Sequence, residues 1–200
     1  MFNILQQIGK NEKKSYKNTE HHFFQIYPYY KEKRHGEKMD SSVYKKVTGM
    51  IENIRRGDSC CTQMILVRAE NRDEEIWFVV SGDTMVIDNV RLRRGMRIAA
   101  FYDTSLPAPA IFPPQYQAEL ITSLRRNQNV DFKYFDETLT AEDNSLRLNL
   151  TPLTNIETAN GQRFLCSPGN SQLLVYYTAA TFSIPAQVTP QKIIVMCPKE

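Results

Sequence analysis

The stretch RIAAFYDTSLPAPAIFPPQYQAELI, residues 97–121, decides how the chain is read, because a second stretch repeats its pattern. The counterpart, QLLVYYTAATFSIPAQVTPQKIIVM, covers residues 172–196. In both, an apolar and aromatic run is followed by a proline-containing loop and then by a second apolar run. Short apolar runs bounded by turn residues predict β-strands, and the prolines predict a loop that makes no ladder hydrogen bonds. The proline loop is therefore predicted to lie inside a folded unit and not to link two domains.

The similarity extends to the N-terminal side of both stretches. At an offset of 70 residues, IWFVV (76–80) matches LRLNL (146–150), and Thr84 matches Thr154. At an offset of 76, Pro114-Gln115 matches Pro190-Gln191. The growing offset places one short insertion within residues 161–170. Agreement in order, spacing and apolar pattern predicts an internal duplication.

Runs of β-branched and aromatic residues between turns rich in Gly, Asp and Asn predict five strands in each copy. In the first copy they cover residues 45–54, 61–69, 76–82, 96–103 and 115–124. In the second copy they cover residues 119–126, 130–138, 145–150, 172–179 and 191–196. The predicted fold class is all-β: two tandem OB-like five-stranded β-barrels from an internal duplication, preceded by a disordered N-terminal segment. The predicted boundaries are 1–40 for that segment or a non-native extension, 41–120 for the first repeat and 121–200 for the second.

LRRGMRIAAFYD, residues 92–103, resembles the L-x-x-G-x-x-V pattern with which a strand begins in many OB-type barrels. Together with D-T, G-x-x-V/I-x-x-x-Y and a proline loop before P-Q-x-x-A, it resembles repeats in small uncharacterised bacterial tandem-repeat proteins, chiefly of spore-forming Gram-positive groups. The resemblance covers residues 43–197 and implies a repeat that carries no known active site. The second copy departs from the pattern, because Pro190-Gln191-Lys192-Ile193 stands opposite Gln115-Tyr116-Gln117-Ala118.

Residues 1–38 differ from the rest of the chain. They are polar and charged around an aromatic island, HHFFQIYPYY (21–30), and show neither helical nor strand periodicity. Gly36-Glu37-Lys38 can be encoded as GGAGAAAAA, which would place a ribosome-binding sequence just before Met39. One interpretation is a native start at Met39. The other is a disordered basic arm that contacts nucleic acid or a membrane.

Excess charge and histidine are confined to the N-terminal part of the chain. Residues 1–40 hold eight Lys/Arg and five Asp/Glu, whereas residues 41–200 hold 17 of each. All three histidines precede residue 36, so residues 41–200 supply neither a Ser-His pair nor a histidine-rich metal site. The four cysteines form no C-x-x-C motif, and we expect reduced thiols that are mostly buried as small hydrophobic residues. They are Cys60, Cys61, Cys166 and Cys197.

The strongest candidate contact residue is Trp77, the only tryptophan. It lies between Ile76 and Phe78, so it points away from the face that these two occupy. On the third strand of an OB-type barrel, an outward tryptophan lies where such folds stack bases or sugars. The alternative is packing against the second copy or a partner chain. Its counterpart in the second copy is Arg147.

Arginines beside Gly95 form the second candidate feature. They offer a phosphate-binding patch, or alternatively a set of solvated turn residues on a neutral domain. The three in question are Arg93, Arg94 and Arg97. Together with Trp77 and Arg147 they make up the predicted ligand-binding set.

These observations predict a non-catalytic binding or assembly protein. No catalytic motif stands out, so we expect no catalytic residue, no metal and no cofactor. The partner is unidentified, with another protein or the chain itself favoured over nucleic acid. No apolar run is long enough to span a bilayer and the N-terminus is a poor secretory signal, so we expect a cytoplasmic protein without membrane contact. The alternatives are a single-stranded nucleic-acid-binding protein and an enzyme that works without histidine.

Overall fold

Alternating apolar residues fold into short strands along the whole described chain. The computed structural model describes residues 44–72 and 74–197. Within these ranges the regular structure consists of thirteen β-strands and one 3₁₀ turn, Ile87–Asn89, which confirms the all-β prediction. The predicted N-terminal segment, residues 1–40, lies outside the described residues.

The first seven strands form one sheet in the order β4-β7-β5-β1-β2-β3-β6. They are β1 (Tyr44–Arg56), β2 (Gln63–Ala69), β3 (Glu75–Val80), β4 (Met85–Val86), β5 (Arg97–Asp103), β6 (Gln115–Gln117) and β7 (Leu120–Ser123). β6 runs parallel to β3, and β7 runs antiparallel to β5. Since only two residues separate β6 from β7, one short segment of chain pairs with β3 at one edge of the sheet and with β5 near the opposite edge. The proline loop, residues 104–114, joins β5 to β6, as predicted.

The remaining six strands follow the same order of pairing. They are β8 (Asn129–Phe135), β9 (Leu146–Leu148), β10 (Asn155–Thr158), β11 (Ser171–Tyr177), β12 (Ala186–Val188) and β13 (Lys192–Met196). One sheet has the order β10-β13-β11-β8, and a second pairs β12 with β9. Isolated bridges Phe135↔Ala141 and Thr140↔Arg147 connect β8 to β9 through a short segment in the position of β2.

The pairing registers show which residues correspond between the two halves. Trp77 pairs with Gln115 on β6, and Arg147 pairs with Gln187 on β12. Phe101 pairs with Leu120 on β7, and Tyr176 pairs with Lys192 on β13. The offset is therefore 70 residues at β3, 75 at β5 and 72 at β6 and β7. The predicted offset of 76 at Pro114-Gln115 is wrong, because Pro114 corresponds to Ala186 and Gln115 to Gln187.

A second correction concerns the first strand of the second half. The predicted strands 115–124 and 119–126 share residues 119–124 between the two copies, but β7 pairs only with β5 and β4 of the first sheet. The counterpart of β1 is instead β8, since Lys46 pairs with Phe101 as Val130 pairs with Tyr176. The chain leaves the first sheet after β7 and begins the second sheet at β8.

Three buried clusters explain the strong apolar content of β5 and β11. Ile98, Ala100 and Tyr102 of β5 point into a cluster within the first half, and Leu173 and Val175 of β11 point into one within the second. The alternate residues of both strands meet in a shared cluster, here called the central cluster. Its members are Ile87, Ala99, Phe101, Leu120 and Leu124 from the first half, with Val130, Phe132, Leu174, Tyr176 and Ile194 from the second. Both faces of these strands are buried because the two halves pack against each other.

Polar contacts fix the two halves around the central cluster. Thr122 and Tyr176 share a buried hydrogen bond 2.7 Å long between their hydroxyl groups. Burial raises the pKa of Tyr176 far above its usual value, so the phenol stays protonated. Lys46 donates to the Val130 carbonyl at 2.7 Å, and these two residues correspond between the halves.

Candidate functional site

Trp77 lies on the outer face of β3, as the alternation predicted. Ile76 and Phe78 are buried in the first-half cluster, whereas Trp77 is half-buried. The Arg55 guanidinium lies over the indole, 4.2 Å from the ring centroid. A cation at this distance over a tryptophan face is attracted by the ring quadrupole. The arrangement stacks a positive charge on an aromatic ring at the outer face of β3.

Strand pairing brings Arg55 to this position. Arg55 pairs with Met64 on β2, two residues before Leu66, which itself pairs with Trp77. The long Arg55 side chain thus reaches across β2, on the face that Met64 and Leu66 share, to the indole on β3. Arg55 also donates from Nη2 to the Met64 sulfur at 3.5 Å. The predicted set missed Arg55, although the Arg55-Arg56 pair at the end of the first strand was the available signal.

A row of charged residues lies beside this surface on β1, β2 and β3. Arg68 forms ion pairs with Glu52 and, at 3.4 Å, with Glu75. The hydrogen bond from Arg68 holds the pKa of the Glu52 carboxyl below its usual value. Arg94 donates from Nε to the Glu52 carbonyl at 2.7 Å. Of the three arginines predicted beside Gly95, Arg94 is thus tied to the strand that carries Arg55.

Arg97 has a structural position. It forms a bidentate pair with Glu70, with N–O distances of 2.6 and 2.9 Å. Its Nη1 donates to the carbonyls of Arg125 and Gln128, which lie in the connection between the two halves. The hydrogen bonds that Arg97 donates to Glu70 lower the pKa of the Glu70 carboxyl and raise the pKa of the Arg97 guanidinium. The guanidinium is therefore engaged in holding the connection.

The two other predicted arginines do not join Trp77. Arg93 is exposed in the turn before β5, where its carbonyl accepts the Met96 amide at 3.2 Å. Arg147 is exposed on β9 of the second half, and it pairs with Thr140 and Gln187. The predicted set is thus divided between two halves, and the compact site is the Trp77–Arg55 pair with the charged row beside it.

A groove of about 500 Å³ opens where the two halves meet. Its floor carries Asp131, which pairs with Lys46 at 2.6 Å and accepts a 2.6 Å hydrogen bond from the Tyr177 hydroxyl. Burial, followed by the nearby Asp131 charge, raises the pKa of Tyr177. Lys133 forms a further ion pair with Asp143 at the groove wall. The Lys46–Asp131 and Lys133–Asp143 pairs each neutralise their own charges, and Glu142 adds one further carboxylate to the lining.

A second groove, of about 540 Å³, lies in the second half, and its lining carries no charged side chain. We call it the neutral groove. It is lined by Thr151, Leu153, Thr178, Ala179, Ala180, Thr181, Gln187, Thr189, Pro190 and Gln191. Its hydroxyl and amide groups both donate and accept hydrogen bonds. The sequence predicted no site here because none of these residue types marks chemistry by itself.

The four cysteines are free and exposed, so the prediction of mostly buried thiols is wrong. The physical reason is local. Cys60 and Cys61 lie in the tight turn between β1 and β2, which Ser59 and Thr62 stabilise by hydrogen bonds. A hairpin turn beyond the ends of its two strands has no core to receive a side chain. The Arg56 Nη2 lies 3.2 Å from the Cys60 sulfur.

Two further features concern metal binding and membrane crossing. Among residues 44–72 and 74–197, no three His, Cys, Asp or Glu side chains converge as a metal site would require. Over the same residues, no helix has the length and apolar character needed to cross a membrane. The fold and surface define an all-β protein with two similarly paired halves and one aromatic–cationic face. No protein-family model, curated protein or solved structure matches this chain.

Proposed function

We propose that the described chain consists of two copies of an OB-like β-barrel and acts as a non-catalytic binding protein. Strand pairing supports the barrel. In an OB-type barrel the last strand runs between the third and fourth strands and closes the ring. The segment of β6 and β7 pairs with β3 at one end and with β5 at the other. The segment of β12 and β13 pairs in the same way with β9 and β11.

A recurring hydrogen-bond motif supports the duplication. Thr84 Oγ1 accepts from the Ser81 amide at 3.0 Å and donates to the Ala118 carbonyl at 2.8 Å. In the second half, Thr154 Oγ1 accepts from the Thr151 amide at 3.2 Å and donates to a carbonyl, that of Pro190, at 2.9 Å. Both motifs occupy the same place, at the turn that follows β3 or β9. Two independent sheets have no common reason to repeat this detail at matching positions.

The contact surface we propose is the outer face around Trp77. The main support for this surface is the position of the Arg55 guanidinium over the half-buried indole of Trp77, 4.2 Å from the ring centroid. Tryptophan and arginine are the residue types most enriched among those that dominate binding energy at protein interfaces. Because β5 and β7 of this half are already covered by the second half, β2 and β3 carry the outer face that stays open to a partner. The favoured partner is another protein or a second copy of this chain.

Paired capture experiments test this proposal. Wild-type protein, Trp77→Ala and Arg147→Ala are immobilised and exposed to a lysate of the source cell, and each is also measured by light scattering for self-association. Trp77→Ala is expected to weaken the affinity for a partner, or for a second copy of the chain, by about tenfold or more, because it removes a dominant contact. Arg147→Ala, at the matching position of the second half, is the control and is expected to behave as wild type. Identical results for all three proteins would contradict the proposal.

Single-stranded nucleic acid is the second candidate ligand. The specific observation in its favour is the same Arg55–Trp77 pair, since bases stack on indole rings and on guanidinium planes. Against it stands the balanced charge of residues 41–200. Titration with mixed-sequence oligonucleotides at low salt tests it directly, because Trp77 is the only tryptophan and its fluorescence reports on this face. Quenching that weakens as salt rises would favour this candidate, and an unchanged spectrum would reject it.

A cytoplasmic location is part of the same proposal. It is supported by the four free, exposed thiols, because extracellular proteins usually carry their cysteines in disulfides.

A further inference from the structure

We propose that the neutral groove of the second half binds an uncharged oligosaccharide. This site lies apart from the Trp77 face and does not depend on the function proposed for it. The groove has a volume of about 540 Å³, within the range of small-ligand sites. Its lining combines threonine hydroxyls, glutamine amides and small apolar side chains.

The hydrogen-bonding groups of the groove are held in place by one another. Gln191 donates from Nε2 to Thr178 Oγ1 at 3.1 Å, and Asn149 donates from Nδ2 to Gln187 Oε1 at 3.1 Å. Thr181 Oγ1 accepts a hydrogen bond from the backbone N–H of Gln187 at 2.8 Å. Each hydroxyl and amide keeps further donor or acceptor capacity. Sugar hydroxyls likewise both donate and accept, so a pre-positioned set of this kind matches them without any charge.

The apolar part of the lining fits the C–H faces of sugar rings. Leu153 lines the groove and is 90% exposed. Phe182 is not part of the lining, but it directly follows Thr181 in the chain and its ring is fully exposed. Ala179, Ala180 and Pro190 complete the apolar surface. Apolar side chains can contact the C–H groups of a sugar ring, and the neighbouring hydroxyl and amide groups can still hydrogen-bond to its hydroxyls. The groove therefore offers both kinds of contact that a sugar needs.

Comparison with the first half argues that neutrality is specific to this groove. The strand registers place Asp83 at the position of Leu153, Asp103 at that of Thr178 and Glu119 at that of Gln191. The same place on the same framework is thus acidic in one half and uncharged in the other. An anionic ligand such as a phosphate would lack a lysine or arginine in this groove, and a cation would lack a carboxylate. An uncharged, hydroxyl-rich ligand is the class that remains matched.

The test is isothermal titration calorimetry of the full chain with three neutral probes: hexamers of α-1,4-linked glucose, of β-1,4-linked glucose and of β-1,4-linked N-acetylglucosamine. At least one is expected to bind. Thr178→Val and Gln191→Leu each remove one hydrogen-bonding group, together with the bond between these two side chains, and because both positions are exposed each variant is expected to fold. Each is expected to weaken binding by about tenfold, the usual effect of losing one such group.

Two control variants and one control ligand make the result decisive. Gln162→Leu changes an exposed glutamine outside the groove and is expected to bind as wild type. Trp77→Ala is also expected to bind as wild type, which separates this site from the Trp77 face. No binding of any hexamer at millimolar concentration would overturn the proposal. Binding that both groove variants leave unchanged would also overturn it. The control ligand is a proline-rich peptide. If this peptide binds, no hexamer binds and both groove variants lose the peptide, the groove is a peptide site and the proposal is overturned.

Discussion

The two halves of the chain pair their strands in the same order, but the hairpin that follows the first strand differs in length. In the first half, β1 has 13 residues and continues beyond its pairing with β5 into a long hairpin with β2. In the second half, β8 has 7 residues, and the turn after it is held by Asp136, which accepts from the amides of Thr138 and Thr140. The additional length of β1 brings Arg55 over Trp77, so this feature belongs to the first half.

The halves also differ at the ends of their strands. Asp83, Asp103 and Glu119 in the first half stand where the second half has the uncharged lining of the neutral groove. The framework residues Thr84 and Thr154, by contrast, make the same hydrogen bonds. Pairing and turn geometry are thus common to both halves, whereas the side chains at the exposed strand ends differ.

The largest expected effect tests whether the two halves unfold together in one cooperative transition. Phe132 lies in the second half, but its ring makes edge-to-face contacts with Phe101 and Tyr44 of the first. Phe132→Ala is expected to lower the free energy of unfolding by about 3–5 kcal/mol, the usual cost of removing a buried phenylalanine. Urea denaturation followed by Trp77 fluorescence is the measurement, because that reporter lies in the other half.

A core variant distant from the contact surface supplies the control. Leu146→Ala removes a buried side chain from the second-half cluster. If the halves unfold together, both variants shift the Trp77 transition. A Trp77 transition that Leu146→Ala leaves at its wild-type midpoint would show instead that the first half unfolds independently.

The pattern of the sequence predicted the strands well but their correspondence less well. Alternation located the segments of β1, β2, β3, β5, β8 and β11, because burial of one face determines residue type there. The offset at Pro114-Gln115 failed because a two-residue identity was taken as the match, whereas the registers are set by pairing with β3 and β9. The counterpart of β1 failed for a similar reason: residues 119–126 have a suitable apolar pattern, but that pattern serves to build β7 and the central cluster.

The candidate site was predictable only in part. The position of Trp77 follows from its place between two core residues, so its outward direction was correct. Arg55 was missed because its contact with Trp77 depends on pairing across β1, β2 and β3, and a β-bulge between Ile51 and Asn53 shifts that register. Arg97 resembles a surface arginine in the sequence, yet Glu70 and the chain between the halves engage it in the fold. The exposure of Cys60 and Cys61 depends on a turn that average cysteine burial does not describe.

A smaller effect is expected at the hydrogen bond between the halves. Tyr176→Phe removes the 2.7 Å hydrogen bond to the buried Thr122 hydroxyl, which keeps a longer 3.3 Å bond to the Ser123 carbonyl, and is expected to cost about 1.5 kcal/mol near pH 7. Because the pKa of Tyr176 is raised by folding, its contribution is complete below pH of about 10, the unfolded value, and falls as pH rises further. The difference in unfolding free energy between wild type and Tyr176→Phe should therefore shrink above that pH. Urea denaturation at neutral and alkaline pH measures it, and a difference that grows with pH would contradict the assignment.

The smallest expected effect compares the recurring threonine motif directly. Thr84→Val and Thr154→Val each remove a hydroxyl that accepts one backbone hydrogen bond and donates another. Thr84 is buried, with 8% exposure, whereas Thr154 is half-buried. Water can reach the groups left unpaired around Thr154 more easily than those around Thr84. Thr84→Val is therefore expected to cost about 1 kcal/mol more than Thr154→Val. Thermal denaturation followed by circular dichroism gives the comparison, and equal or reversed costs would show that burial does not distinguish the two copies of the motif.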